Sequence, residues 1–505
     1  MPVGARRDQP SRFCPSPSLE LAAEPVLTPV AMPAHPKLPH QPLRKRGSTD
    51  SRGVYRNDFG RDGKPLHSDI FLKRGVIRHL RKYYHEILPA ECLTAKNYVI
   101  VDEIVDKVLD VDTNFIAAMK KEGVDCTKII IPADTADACG ESSVERYKTA
   151  DVLHNCTEEV LRNGLSKHSC IISVGGGVVN NLCGVMASML YRGIGLVHFT
   201  TSTMGMLDAA LDFKQAVNHS CGKNLLGSYY PASCVVIDPE CVSSLSTRHV
   251  QDGIAEALKH AFCQSTAMLH RIVEPVRQRG MEAFRDSRYI EAICKDCIEV
   301  KAPTLDHYHS SDFNEMCPQY GHAVGHAIEF ISWETDFPLL HGEAVAIGMC
   351  VSAEIALRRG LCTQEIVDQH YDACLTLGLP AFVPSNITIP QILQKIVYDK
   401  HFVKCPAMGL CADIGLMAIN PQAAEKPVGA MTESSSTTCL STEQSKPEPV
   451  SFAFSIAIDE LEIALQANMD RMMATPAADT AKTFVKAPPA AVETPILSAN
   501  ETQCD

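Results

Sequence analysis

Nowhere in the 505 residues do about 18 apolar residues run together, so no membrane span is expected. Basic residues are outnumbered, 47 to 60, and the resulting formal charge of -13 argues against a nucleic-acid partner, which needs a basic face. The glycine-rich stretch lacks the G-x-G-x-x-G order, and the paired histidines are not H-E-x-x-H, which excludes a metalloprotease. Although there are 21 cysteines, they show one C-x-x-C, Cys294 to Cys297, with no second pair to complete a zinc site. Reduced thiols in a cytoplasmic protein are therefore expected. Arg6 and Arg7 are not followed by an apolar segment, so no secretory signal is read. With 45% hydrophobic and 21% charged residues, the remaining class is an ordinary globular protein.

Such a length has room for two folded domains with disordered flanks. Residues 1–65 are rich in Pro, Arg, Ser and His without periodicity, and are expected to be disordered. Between 66 and 240, apolar strands near 98–101, 128–132, 170–174, 194–199 and 234–237 alternate with helical segments. That order predicts an α/β, doubly wound domain with a parallel sheet. From 241 to 473 nearly every segment has helical spacing, which predicts an all-α second domain. A Ser-, Thr-, Glu-, Pro- and Lys-rich insertion interrupts it near 421–449, and residues 474–505 are read as a disordered tail.

Val174 to Asn224 organises the chain. An apolar strand runs onto Gly175, Gly176 and Gly177, and a helical segment follows. Glycines at such a turn let backbone N–H groups approach a pyrophosphate, although a tight turn made for packing is an equal reading. Asp102, ending an earlier strand, suits either a ribose hydroxyl or a helix cap. Farther on, His322 and His326 lie four apart, which places both imidazoles on one helix face. Glu256 and His341 begin or occupy two other helical segments. One carboxylate and two imidazoles from three helices would make a metal site with open positions, against the alternative of satisfied interior histidines. Lys214, Lys223, Lys259 and Lys301, each unremarked alone, could together neutralise a phosphate and steady an oxyanion.

These residues resemble the sugar phosphate cyclases, the family of 3-dehydroquinate synthase. The likeness runs from about Asp69 to Asn420, through VGGGVVNNLCG, DAALDFKQAVN, GKNLLGSYYP, GIAEALKHA, YGHAVGHAIE and LLHGEAVAIGM. It implies an α/β NAD-binding domain joined to a helical domain, with the site between them. By motif position it implies a divalent metal, Zn or Co, on Glu256, His322 and His341. NAD would meet Asp102, Glu145, Lys148, Gly176, Gly177, Thr201, Ser202, Asp208 and Lys223. Lys214, Lys259, Lys301 and His326 would be catalytic, with Arg192, Asn224, Glu315 and Gln319 on the substrate side. Arg192 matches an arginine that reaches the phosphate across a subunit boundary, which implies a homodimer. The reaction implied is transient oxidation of a sugar phosphate, β-elimination of phosphate, re-reduction and an intramolecular aldol.

Departures bear on the substrate. Dehydroquinate synthases usually carry Arg-x-x-x-Asn where this chain has Glu315 and Gln319, so an acid stands where a substrate carboxylate would be held. Asn180-Asn181 and Lys214-Gln215-Ala216 replace the family's usual Gly-Asp and Lys-Thr-Gly. Both changes look like the 2-deoxy-scyllo-inosose synthases, and an acid near Glu315 also marks the 2-epi-5-epi-valiolone type. A non-carboxylated sugar phosphate is expected. The alternatives are a dehydroquinate synthase proper, a metal-dependent polyol dehydrogenase that would accumulate NADH, or an impaired relative.

Overall fold

Short strands, most of them followed by a helix, build one seven-stranded sheet. The computed structural model describes residues 54–61, 64–134, 144–220, 222–301, 312–421 and 451–475. In chain order the first half holds β1 (Val54–Arg61), β2 (Lys64–Leu72), α1 (Leu80–Ile87), β3 (Lys96–Asp102), α2 (Glu103–Leu109), α3 (Ala118–Lys121) and β4 (Asp125–Ile131). Then come α4 (Ala150–Arg162), β5 (Cys170–Gly175), α5 (Gly177–Met189), β6 (Gly195–Thr200), α6 (Thr203–Leu207), β7 (Lys214–His219), β8 (Gly222–Tyr229) and β9 (Cys234–Ile237).

The strands lie in the order β1-β2-β9-β6-β5-β3-β4. All neighbours are parallel except β1 and β2. Every residue of β5 is buried, as a central strand covered on both faces requires. From β3 the chain crosses to β4 on one side and later returns to β5 on the other. The carboxyl ends of β3 and β5 therefore flank the point where the winding reverses, the place at which open α/β sheets bind ligands.

The second half is helical: α7 (Thr247–Gln264), α8 (Thr266–Arg279), α9 (Ser287–Lys301), α10 (Phe313–Met316), α11 (His322–Ser332), α12 (His341–Arg358), α13 (Gln364–Thr376), α14 (Ile389–Ile396) and α15 (Ile458–Ala474). Small residues let α7, α11 and α12 approach closely. A Cβ on Gly348 would stand 1.9 Å from the Gly321 carbonyl oxygen, and one on Gly342 would stand 2.0 Å from that of Asp252. Both α11 and α12 are apolar nearly all round, as helices inside a helical layer must be.

The parallel α/β sheet and helical second half agree with expectation; one boundary does not. Strand order begins at Val54, inside the stretch read as disordered to residue 65. The run Lys214–Tyr229 is an antiparallel hairpin, β7 with β8. The helical half also contains two small ladders, β10 (Ala407–Met408) with β13 (Phe454–Ser455) and β11 (Cys411–Asp413) with β12 (Leu416–Met417). Most of the remaining N-terminal extension, the insertion and the tail lie outside the described residues.

Candidate active site

Glu256 on α7, His322 opening α11 and His341 opening α12 meet at one point. The Glu256 Oε1 lies 3.5 Å from His341 Nε2 and 3.7 Å from His322 Nε2. It is buried and has no hydrogen-bond partner among the described residues, while Lys259 takes the other oxygen. Each imidazole is oriented from behind. His322 Nδ1 donates to the Tyr320 carbonyl at 3.1 Å, and His341 Nδ1 donates to Glu329 Oε2 at 3.0 Å. Those bonds turn the Nε2 lone pairs toward the carboxylate oxygen, the arrangement of a metal-ligating histidine with its outer partner. Lone pairs converging on a carboxylate need a cation or a proton between them. Burial lowers His322 and its neighbouring cations lower it further. For His341, Glu329 overcomes burial and raises the pKa.

His326 joins the same group. The ligand atoms of His322, His326 and His341 all lie within 4.8 Å of one another. Burial brings His326 down to about 3, so it is neutral at ordinary pH.

α12 starts where it does because its first turn is tied from several sides. Glu343 accepts from the Leu340 N–H, and Arg248 of α7 grips both Glu343 oxygens at 2.7 and 2.8 Å. Asp252 accepts from the Gly342 N–H at 2.6 Å. His341 is thereby fixed in direction by the helix it opens.

At the sheet end, Asp102 caps α2 through Oδ1, which accepts from Ile104 and Val105. Its Oδ2 points at the glycine turn, 3.2 Å from where a Cβ on Gly175 would stand. The cap reading of Asp102 is therefore met, and the second oxygen is left facing the turn. Gly176 is the cap residue of α5, and a Cβ there would stand 2.9 Å from Ser202 Oγ. Thr201 is buried and donates its N–H to the Gly175 carbonyl, and Ser202 caps α6. The N-terminus of α5 therefore opens between β5 and β6 with no side-chain cap, a shape and polarity suited to a pyrophosphate.

The hairpin carries the polar ring between these ends. Lys223 pairs with Glu145 at 3.0 Å and with Glu329, and those acids hold its pKa above the usual range against burial. Lys148 donates to Asn224 Oδ1 at 2.6 Å, and burial lowers it to about 8. Lys301, buried at the end of α9, meets Asp208 at 2.5 Å and Asp212 at 3.3 Å. Asp208 also accepts from His260 at 3.2 Å. Lys214 lies 3.7 Å from Asp212.

Residues 139–252 match the 3-dehydroquinate synthase N-terminal family and residues 253–402 the C-terminal one, together more than half of the chain. A 2-deoxy-scyllo-inosose synthase of Streptomyces kanamyceticus is 32% identical over 275 residues, 54% of this chain and 69% of the relative. The chain belongs to the 3-dehydroquinate synthase family. A 3-dehydroquinate synthase of Rippkaea orientalis is 30% identical over 284 residues, 56% of this chain and 74% of that one, so identity does not separate the two activities. Among solved structures, a 2-deoxy-scyllo-inosose synthase superposes with a TM-score of 0.63, covering 82% of this chain and 99% of that chain at 22% identity, which is a likeness of fold.

Within this family member, the residues picked from motifs fall into three groups. Glu256, His322, His326 and His341 converge, as do Lys259 and Lys301 with Asp208; Glu145, Lys148, Lys223 and Asn224 form a second contact ring. Glu315 and Gln319 are near but differently engaged. Glu315 faces His401 at 3.6 Å on a side chain 59% exposed, and Gln319 buries an Oε1 with no partner among the described residues. Arg192 is elsewhere, exposed at the far end of α5 from Gly177, with Tyr191 and Arg192 both at positive φ.

Gln215 is buried, packed where a Cβ on Gly184 would collide with it, and donates to the Tyr230 carbonyl, so it lies in the packing between α5 and the hairpin. Asn181 is buried as well.

Sequence reasoning gave no role to Glu329, Asp212 and His260. Glu329 had a signal, because it follows His322 by seven and His326 by three on the same helix face. The others had none beyond residue type.

Proposed function

We propose that this chain is an NAD- and divalent-metal-dependent sugar phosphate cyclase, a carbon-oxygen lyase of the 2-deoxy-scyllo-inosose synthase type. The reaction is transient oxidation of a ring hydroxyl, β-elimination of phosphate, re-reduction and an aldol closure. The observation that carries the reading is the partnerless Glu256 Oε1 facing two oriented imidazoles, next to a lysine array at the winding reversal of the sheet. The superposable 2-deoxy-scyllo-inosose synthase was solved with carbaglucose-6-phosphate, NAD+ and Co2+.

Glu256, His322 and His341 would hold the metal, with His326 beside them as the base or a fourth donor. The N-terminus of α5, Gly176, Gly177, Thr201, Ser202 and Asp102 Oδ2 would hold the dinucleotide, with Glu145, Lys148, Asp208 and Lys223 closing the ring. When bound, NAD+ supplies a hydride acceptor and the metal a Lewis acid for the hydroxyl oxygen. Neutral His326 can accept the hydroxyl proton, and Lys259 and Lys301 can steady the oxygen on which charge develops. Lys214 and Asn224 face the phosphate side. Lys400 joins them, an exposed residue whose pKa is pushed down by desolvation and by Lys214. Glu315, held ionised by His401, disfavours a carboxylate on the substrate. Glucose 6-phosphate fits this reading, and sedoheptulose 7-phosphate is the second choice.

Arg192, remote from its own site, supports a homodimer. Around it Met189, Tyr191, Leu225, Leu226 and Tyr229 are exposed, and the Ser188–Ser228 hydrogen bond joins α5 to β8 beneath them. A second copy covering that face would bring Arg192 to the partner site, which sedimentation at several protein concentrations tests.

The deciding experiment incubates purified protein with NAD+ and Co2+ or Zn2+ against glucose 6-phosphate, sedoheptulose 7-phosphate and the heptulosonate 7-phosphate. Released phosphate and the carbocycle are measured. Turnover of one of the first two, with no net NADH, is expected. Turnover of the heptulosonate alone would overturn the substrate assignment, and stoichiometric NADH would make the chain a dehydrogenase.

A further inference from the structure

The chemistry just described gives no role to Asp212, yet its carboxylate sits among the lysines of the site. It follows α6 at the mouth of the hairpin and is oriented by the backbone, because Oδ1 accepts from the Lys214 N–H at 3.1 Å. Oδ2 then points at Lys301 Nζ, 3.3 Å away, and at Lys214 Nζ, 3.7 Å away. The side chain is 12% exposed, so it faces the cleft rather than bulk water. Burial would raise its pKa, but Lys214 and Lys301 hold it at about 2, and it is ionised throughout the working range. Across the cleft, Lys400 feels both Asp212 and Glu315.

We propose that Asp212 is a specificity-determining residue: seated between Lys301 and Lys214, it fits the cleft to a sugar phosphate whose sole anionic group is its phosphate. The inference rests on the sugar phosphate reading of the site. Lys214 and Lys400 are set against Asp212 and Glu315, so the two cations have two carboxylates before any ligand arrives. A phosphate dianion competes for them with its concentrated charge and three acceptor oxygens. A second anionic group brought against these two cations meets a fixed carboxylate beside each of them. A hydroxyl at that position donates to Asp212 and is welcome. Asp212 therefore adds to Glu315 a second acid, on a different element, that sorts ligands in the same direction.

The test compares glucitol 6-phosphate with 6-phosphogluconate, linear six-carbon phosphates that differ only in a hydroxymethyl or a carboxylate at C1. Dissociation constants are measured by calorimetry on the full chain loaded with NAD+ and Co2+. The wild type should bind glucitol 6-phosphate about tenfold tighter or more. Asp212→Asn, which keeps the shape and removes the charge, should shrink that ratio to about threefold or less, chiefly by strengthening 6-phosphogluconate. Asp212→Glu should keep the wild-type preference. An unchanged ratio in Asp212→Asn, or equal weakening of both ligands, would reduce Asp212 to a structural role and overturn the proposal. A wild-type preference for 6-phosphogluconate would overturn it too. Failure to release phosphate from any sugar phosphate would remove the cyclase reading and leave this binding ratio untouched.

Discussion

At one end of the cleft two imidazole lone pairs and a carboxylate oxygen converge, and at the other Lys214 and Lys301 are each set against a carboxylate. The first group is incomplete in its own charges and calls for a cation from outside. The second is balanced within the chain and can fold without any ligand. The contrast separates what assembles the site from what activates it: the lysine end is built by folding, the histidine end by loading.

Glu256→Gln probes that contrast hardest, since it removes one donor and hardly alters volume. Phosphate release should fall on the order of 1,000-fold, about 4 kcal/mol, with metal stoichiometry falling in parallel. A variant that kept both its metal and its turnover would dissolve the distinction between the two ends.

Lys148 is the exception at the lysine end, because its partner, Asn224, is neutral. Its folded pKa of about 8 lies below the ordinary 10.5. Between those values the unfolded chain binds a proton that the folded chain does not, so stability rises with pH across that window. Below pH 8 the full cost of burying the charge is present, up to about 3 kcal/mol. Urea unfolding of the metal-free protein at pH 7.5 and 10 should show a rise that Lys148→Met abolishes. Lys223 and Lys301, raised by their acids, should show no such rise.

The smallest effect expected is at Asp102, where cap and ligand roles can be separated. Asp102→Ala should cost about 1 kcal/mol of stability through the lost cap, and Asp102→Asn much less. Both should weaken NAD+. Quenching of Trp333, the one tryptophan of the chain, reports that binding, because its ring lies 5.3 Å from Lys223 Nζ.

Period and spacing made much of this legible. The strands of the sheet are short apolar runs, and the pair His322 and His326 declares its common face by its interval. What could not be read was which helices touch. Gly342 and Gly348 permit the contact of α7, α11 and α12, but a glycine does not name its neighbour. The hairpin was hidden for another reason. β7 alternates strictly, with Gln215 and Val217 buried, but one of its inward residues is polar and masks the period. Asp212 escaped because attention went to the lysines, whose counter-charges come from segments that only folding brings close.

Glu329 has a consequence for how the two ends communicate. One of its oxygens holds Lys223 and the other holds His341. A cation that draws electron density through His341 takes it from a carboxylate that also anchors the hairpin, so occupancy at one end is felt at the other. Such coupling is reciprocal by thermodynamic necessity: whatever factor the metal imposes on a ligand held by Lys223, that ligand imposes on the metal. A single buried carboxylate thus ties the affinity of one end to the occupancy of the other.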